Sequence, residues 1–224
     1  MSTSIVTPEA PAAIEYPSSD GKPMAENDAQ RLNMIYAGDA LGQWFAKRED
    51  VYVSGDLLIY YEEDNPKVSI APDVFVVYGV AKRRRMTYLL WEEGKAPDFV
   101  LEVAPPNTWR EDEGVKRRVY ERLGVTEYYQ YDPTGDLLGT QLKGARLSGG
   151  RYEAQAVRRS ASGKPTLSSE VLELDLFVNR EGDLRFRDPA TGEELLSYEQ
   201  EAAARHAAET RIAELERLLR KQSR

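Results

Sequence analysis

Two carboxylates and one amine stand out in this chain by the company they keep. Asp73 follows Pro72 and opens the run Val74-Phe75-Val76-Val77, and Glu102 sits inside Phe99-Val100-Leu101-Glu102-Val103 with apolar residues on both sides. An ionised carboxylate in such surroundings costs several kcal/mol unless it is paired or binds a cation. Two of them at the ends of adjacent strands would make an oxygen-rich pocket suited to Mg²⁺ or Mn²⁺. The plain alternative for each is a nearby arginine or the cap of the following turn, and local sequence leaves both open. Asp112 and Lys116 stand at i, i+4 spacing, so they share one face of a helix. They form an ordinary surface ion pair, or Lys116 projects back toward the strand ends that carry Asp73 and Glu102. In the second case its ammonium would assist an attacking water or stabilise negative charge on phosphorus. Spacing alone does not choose the face.

Composition removes several competing chemistries. The 224 residues include no cysteine and one histidine, His206, so there is neither a disulfide framework nor a thiolate zinc site, and no mechanism that needs two imidazoles. His206 lies among alanines in the C-terminal stretch and reads as an exposed helix residue. Hydrophobic content of 41% and charged content of 30% fit a globular protein rather than a disordered one. No apolar run approaches the roughly 20 residues that span a bilayer. The N-terminal stretch lacks a basic region followed by an apolar core, so no secretory signal is expected and the default compartment is the cytoplasm. A net charge of −8 argues against a protein that coats nucleic acid electrostatically. Two local basic strips remain, Lys82-Arg83-Arg84-Arg85 and the set Lys116, Arg117, Arg118 and Arg122. Each is a contact for phosphates or simply a solvated face.

The elements that must position these residues follow from patterning. Residues 1–23, rich in Pro, Ala, Ser and Glu, read as a flexible or surface-draped leader. From Glu26 to Lys47 the residues Leu32, Ile35, Tyr36, Leu41, Trp44 and Phe45 recur at helical spacing, with a break near Gly38. Strands are predicted at 51–53, 57–61, 74–78 and 99–103, the last two as continuous apolar runs buried on both faces. Asp112 to Leu123 reads as a helix closed by Gly124, followed by a strand at 127–131. Residues 137–160 carry shorter strand patterns separated by Gly144 and Gly149-Gly150, an antiparallel extension. Ser168 to Phe177 is ambiguous, and Asn179 to Gly192 reads as turns and a short hairpin. The tail from Tyr198 to Arg220 is built of strong helix formers, with Ala208, Ile212, Leu215 and Leu219 at coiled-coil spacing. The expected organisation is a leader at 1–23, a domain at 24–180, a connector at 181–197 and a helix at 198–224.

The segments APDVFVVYGV, APDFVLEVAPPNTWREDEGVKRRVYERLGVTEYYQYDP and LSSEVLEL resemble, in order, the Uma-two family of restriction-endonuclease-like proteins in the PD-(D/E)XK nuclease superfamily. The likeness runs from about Glu26 to Glu173. It implies an α/β fold, a restriction-endonuclease-like core with a central mixed β-sheet flanked by helices, plus the C-terminal helix. It further implies hydrolysis of phosphodiester bonds, of DNA above all, by a metal-activated water with Mg²⁺ or Mn²⁺ as cofactor. Position by position, Asp73 matches the first metal-binding acid and Glu102 the second, with the carbonyl of Val103 as a further ligand. Lys116 matches a lysine that has moved from the strand to the following helix, since position 104 is alanine. Glu26, Asp56 and Asp112 are auxiliary acidic candidates.

Two other readings compete. The fold can serve as a catalytically silent binding or assembly module. The C-terminal helix can also be the working part, giving a homodimer. Glycoside hydrolysis by paired carboxylates is formally open and disfavoured, because the chain lacks an evident aromatic-rich cleft.

Overall fold

Runs that are apolar at every position must be covered on both sides, and in this protein they form the middle of a sheet with a layer on each face. The computed structural model describes residues 14–19, 27–104, 109–160 and 163–222, with the side chains of 109–113, 221 and 222 outside the description. In chain order the elements are α1 (Asp28–Trp44), β1 (Val51–Ser54), β2 (Ile59–Tyr60), β3 (Ser69–Ile70), β4 (Val74–Tyr78), β5 (Tyr88–Leu89), α2 (Leu90–Glu93) and β6 (Phe99–Val103). There follow α3 (Trp109–Leu123), β7 (Glu127–Tyr131), β8 (Leu142–Ser148), β9 (Arg151–Ala154), β10 (Arg158–Arg159), β11 (Pro165–Ser169), β12 (Leu174–Val178), β13 (Leu184–Arg187) and α4 (Tyr198–Gln222).

The central sheet has the order β1-β4-β6-β7-β8-β9. It is mixed: β6 and β7 run parallel, bridged by α3, and every other neighbouring pair is antiparallel. One face packs against α1 and a second, antiparallel sheet of order β10-β11-β12-β13, through Val74, Val76, Phe99, Leu101, Tyr129 and Leu176. The opposite face packs against α3 and the small sheet β3-β2-β5, through Phe75, Val77, Val100, Tyr120 and Tyr128. Strand alternation therefore sets Glu102, one residue from both Leu101 and Val103, on the α3 side.

Helix α1 runs unbroken through Gly38, where the sequence predicted a break. Its buried side is Gln30, Asn33, Tyr36, Ala37, Ala40 and Leu41, whereas Leu32 and Ile35, expected to face the core, are exposed. The reason is that two alanines let the helix lie close to the sheet while its polar residues bond to strand ends. Gln30 donates to the Ala104 carbonyl at 3.0 Å, Asn33 accepts from the Leu184 amide at 2.8 Å and Tyr36 donates to the Leu195 carbonyl at 2.8 Å. Asn27 and Gln30 close a reciprocal capping box at its start. Helix α3 ends as the sequence predicts, with the amides of Gly124 and Val125 bonding to the carbonyls of Glu121 and Tyr120.

The ambiguous stretch at 168–177 resolves into parts of two strands, β11 and β12, joined by a tight turn. The hairpin expected beyond Asn179 is the β12–β13 pair, and Leu184 and Phe186 of β13 belong to the same core as α1. Within the leader, Tyr16 packs its ring on Tyr60 and Trp91, and Tyr60 donates to the Pro17 carbonyl at 2.7 Å. Residues 1–13 and 20–26, which include Glu26, lie outside the described residues. Helix α4 forms over Tyr198–Gln222 with its side chains exposed through Arg220, His206 among them.

Gly144, expected as a break between strands, instead sits inside β8, where β11 crosses closest. A Cβ there would lie 2.8 Å from a Tyr129 ring carbon and 2.9 Å from a Leu167 methyl. Gly144→Ala is expected to destabilise the fold by about 1–3 kcal/mol through overpacking. It should be read as a lower urea midpoint at unchanged slope. An unchanged midpoint would mean that the two sheets have slack there.

Candidate active site

The carboxyl ends of the parallel pair β6 and β7 are where an open α/β sheet leaves room for a ligand. Val74 pairs with Leu101, so Asp73, one residue before the ladder, comes opposite Glu102. Asp73 accepts a hydrogen bond from the Val103 amide at 2.6 Å. In an antiparallel pair the N–H and C=O of one residue leave on the same edge, so the Val103 carbonyl also leaves β6 on the side of Asp73. The position of Asp73 is set from behind by the Ser54-Gly55-Asp56 turn. The Asp56 amide bonds to the Pro72 carbonyl at 2.9 Å, and a Cβ on Gly55 would fall 2.1 Å from the Asp73 carbonyl oxygen. Only glycine allows that approach.

Glu102 is buried and both of its oxygens are engaged. Lys116, on α3, donates to Oε2 at 2.8 Å, and Tyr120, one turn further along the same helix, donates to Oε1 at 2.5 Å. Burial first, and the Glu102 carboxylate second, push the Tyr120 phenol well above its ordinary range, so it remains a donor. Lys116 also reaches the Ala71 carbonyl at 3.4 Å. Its side chain is 22% exposed against 8% for Glu102, so Lys116 lies nearer the opening of the site than the carboxylate. At position 104 the backbone is fully committed: the Ala104 amide bonds to Tyr131 and its carbonyl accepts from Gln30.

The structure thus brings Asp73, Glu102, Val103 and Lys116 together. It places the backbone of Asp56 beside Pro72, with its side chain exposed and its φ at 49°. Asp112 lies on α3 with its side chain outside the description, and Glu26 is outside the described residues. Among the described residues no group of three or more His, Cys, Asp or Glu is gathered as for a metal. Asp73, Glu102 and a main-chain carbonyl nevertheless form a hard-oxygen donor set of the kind Mg²⁺ accepts, with waters completing its shell.

Sequence reading missed Tyr120, although its i+4 relation to Lys116 was a usable signal. It also missed that other buried acids satisfy the same local criterion. Glu127, fully buried at the amino end of β7, pairs with Arg146 at 2.6 Å and accepts from Ser169 and from the Glu170 amide at 3.0 Å. Asp132 accepts from the amides of Thr134, Leu137 and Leu138 and organises the turn after β7. Of the basic strips, Lys82 caps α1 through the Phe45 and Ala46 carbonyls, while Arg83 and Arg85 bind Glu93. That strip is mostly structural, with Arg85 also lying over the Tyr52 ring. Arg122 pairs with Glu62 and Arg117 turns to the Tyr152 carbonyl and to Glu121, while Lys116 meets Glu102.

A mixed central sheet, its parallel pair bridged by a helix, is a restriction-endonuclease-like architecture. Residues 12–179 match the sequence pattern of Uma2, described as "Putative restriction endonuclease", and the chain belongs to that family. No curated protein matches it. Among solved structures it is similar to a "putative nuclease belonging to DUF820" from Anabaena variabilis ATCC 29413, at 15% identity and a TM-score of 0.45, over 65% of this chain and 80% of that one.

Tyr120→Phe removes the only donor to Oε1 found among the described residues. It is expected to cost about 1–3 kcal/mol, the penalty for a buried acceptor left unmet, visible as a lower melting temperature. An unchanged melting temperature would mean that Glu102 swings out to water.

Proposed function

We propose that the protein is a metal-dependent endonuclease that hydrolyses phosphodiester bonds of DNA. The observation that carries this reading is the contact of Lys116 with Glu102 at the carboxyl end of β6, beside Asp73. A lysine delivered by α3 supplies the amine that Ala104 lacks on the strand. Asp73, Glu102 and the Val103 carbonyl would hold Mg²⁺ or Mn²⁺. Such a cation activates a water and polarises the phosphoryl oxygen. Lys116 orients that water and offsets the negative charge that grows on the phosphoryl oxygens. The Val103 amide and the Tyr120 hydroxyl hold the two carboxylates in fixed orientations, so their alignment need not be found anew at each turnover.

The competing reading is a silent nuclease fold. It is favoured by the commitment of Lys82, Arg83 and Arg85 to contacts within the chain, which leaves less cation for a polyanion. Cleavage of supercoiled DNA decides between them. With Mg²⁺ or Mn²⁺ the native protein is expected to nick it, EDTA to stop the reaction, and Asp73→Ala, Glu102→Ala and Lys116→Ala each to slow it by about 10²-fold or more. Loss with Asp73→Ala but not with Lys116→Ala would remove the lysine from the mechanism. A folded native protein that cuts no DNA would support the silent reading or an RNA substrate.

Two sites are useful for a duplex, and α4 offers a means of pairing. Ile212 and Leu215 are 57% and 44% exposed on this helix, and Arg211 and Glu216 flank the seam with opposite charges. The occupant proposed for this face is α4 of a second copy. Sedimentation of the full chain should give twice the chain mass, and Leu215→Lys should return it to one. A native chain that sediments as a monomer throughout the micromolar range would exclude this pairing.

A further inference from the structure

The row of residues that contains Glu102 continues across the sheet. Glu102 is registered with Gln130 on β7, and Gln130 with Lys143 on β8. Paired residues project to the same face, so all three lie on the α3 side. Two strand spacings put Lys143 about 10 Å from Glu102. Between α3 and this part of the sheet there is a cavity of about 380 Å³. Its apolar lining is Ala154 and Val157, both exposed, over the buried Tyr128 and Ala145, and its rim carries Gln130, Lys143 and Arg117, the residue next to Lys116. The floor is firmly backed, since the Tyr128 ring packs between those of Tyr120 and Tyr152.

We infer that this cavity is a subsite for the nucleotide next to the scissile phosphate, gripped at its phosphate by Lys143 and Arg117 and at its base edge by Gln130. The inference rests on the nuclease reading of the adjoining site. The volume suits one nucleotide-sized group and falls in the range of ordinary ligand sites. The exposed side chains of Ala154 and Val157 accept the face of a base, and an amide presents both a donor and an acceptor to its edge. The cations on the rim matter in a chain whose net charge is −8, because they give a polyanion a local reason to settle here. Arg117 is held by the Tyr152 carbonyl at 2.8 Å and by Glu121 at 3.6 Å, so the rim is partly organised before a strand arrives and Lys143 is its principal phosphate contact.

The test uses fluorescein-labelled 20-nucleotide DNA and RNA strands, and their duplexes, with the full-length protein. Cleavage is followed in Mg²⁺, and binding by anisotropy in Ca²⁺ over a salt series. Lys143→Ala is expected to raise KM about tenfold with kcat within about twofold, the size of one charge-assisted contact. It should also lower the slope of log K against log salt by about one. Gln130→Ala should raise KM and leave the salt slope as it was. Arg180→Ala, at an exposed arginine in the turn between β12 and β13, serves as the charge-matched control and should change neither. Cleavage by the native protein together with a Lys143→Ala variant indistinguishable from Arg180→Ala would overturn the subsite and leave the nuclease standing. Binding with a Lys143-dependent salt slope but no cleavage would keep the subsite and remove the hydrolysis. Neither binding nor cleavage of any probe would overturn both.

Discussion

A carboxylate at a position where its strand is buried on both faces is the demand around which the functional end of this protein is arranged. Glu102 is flanked by Leu101 and Val103, and an unpaired charge there would weigh against the whole of a fold that is stable by only about 5–15 kcal/mol. The answer comes from one helix. Lys116 and Tyr120, one turn apart on α3, reach the two oxygens of Glu102. Because α3 is also the crossover between β6 and β7, the chain that carries the acid and the chain that meets it are joined by the shortest route the topology permits. The end of β6 is then fixed on its remaining sides by Asp73, Tyr131 and Gln30. Side chains held in this way are oriented before any ligand arrives, which is what distinguishes a site from a chance meeting of charges.

Much of this was legible in the sequence, and the parts that were not share a physical cause. β4 and β6 were readable because strands covered on both sides leave apolar runs, and β7 because its tyrosines are stopped by Asp132-Pro133. The end of α3 was readable because Gly124 marks it. Asp73, Glu102 and Lys116 could be named from their neighbours and from family likeness, but the face of α3 that Lys116 uses is a tertiary fact. Helix α1 was found, yet its buried side was misjudged: apolarity pointed to Leu32 and Ile35, whereas the sheet takes the alanines and the polar residues that bond to strand ends. The second sheet was missed in part because polar residues interrupt the apolar pattern of β11 and β12, the buried Ser169 and Asp175 among them, which blurs the strand signal at 168–177.

The contrast between Glu102 and Glu127 shows why a buried charge alone does not locate chemistry. Both lie in apolar strands and both meet a cation. Glu127 sits at the amino end of β7, and beside Arg146 it is bonded to Ser169 and Glu170, so it joins the central sheet to the turn after β11. Glu102 lies at the opposite end of the parallel pair, where the next strand supplies a second carboxylate and the lysine stands at the opening. Position within the topology separates the two, and residue type does not.

The fastening of α1 by the far end of the chain has a consequence for how the protein is made. Asn33 and Tyr36 bond to Leu184, Phe186 and Leu195, some 150 residues later in the sequence. A ribosome delivers the N-terminal segments first, so α1 emerges long before the strand that holds it. Contacts of such separation form late and slowly. Gln30, on the same helix, steadies the end of β6 at Ala104, so the last brace on the reactive end waits for β13.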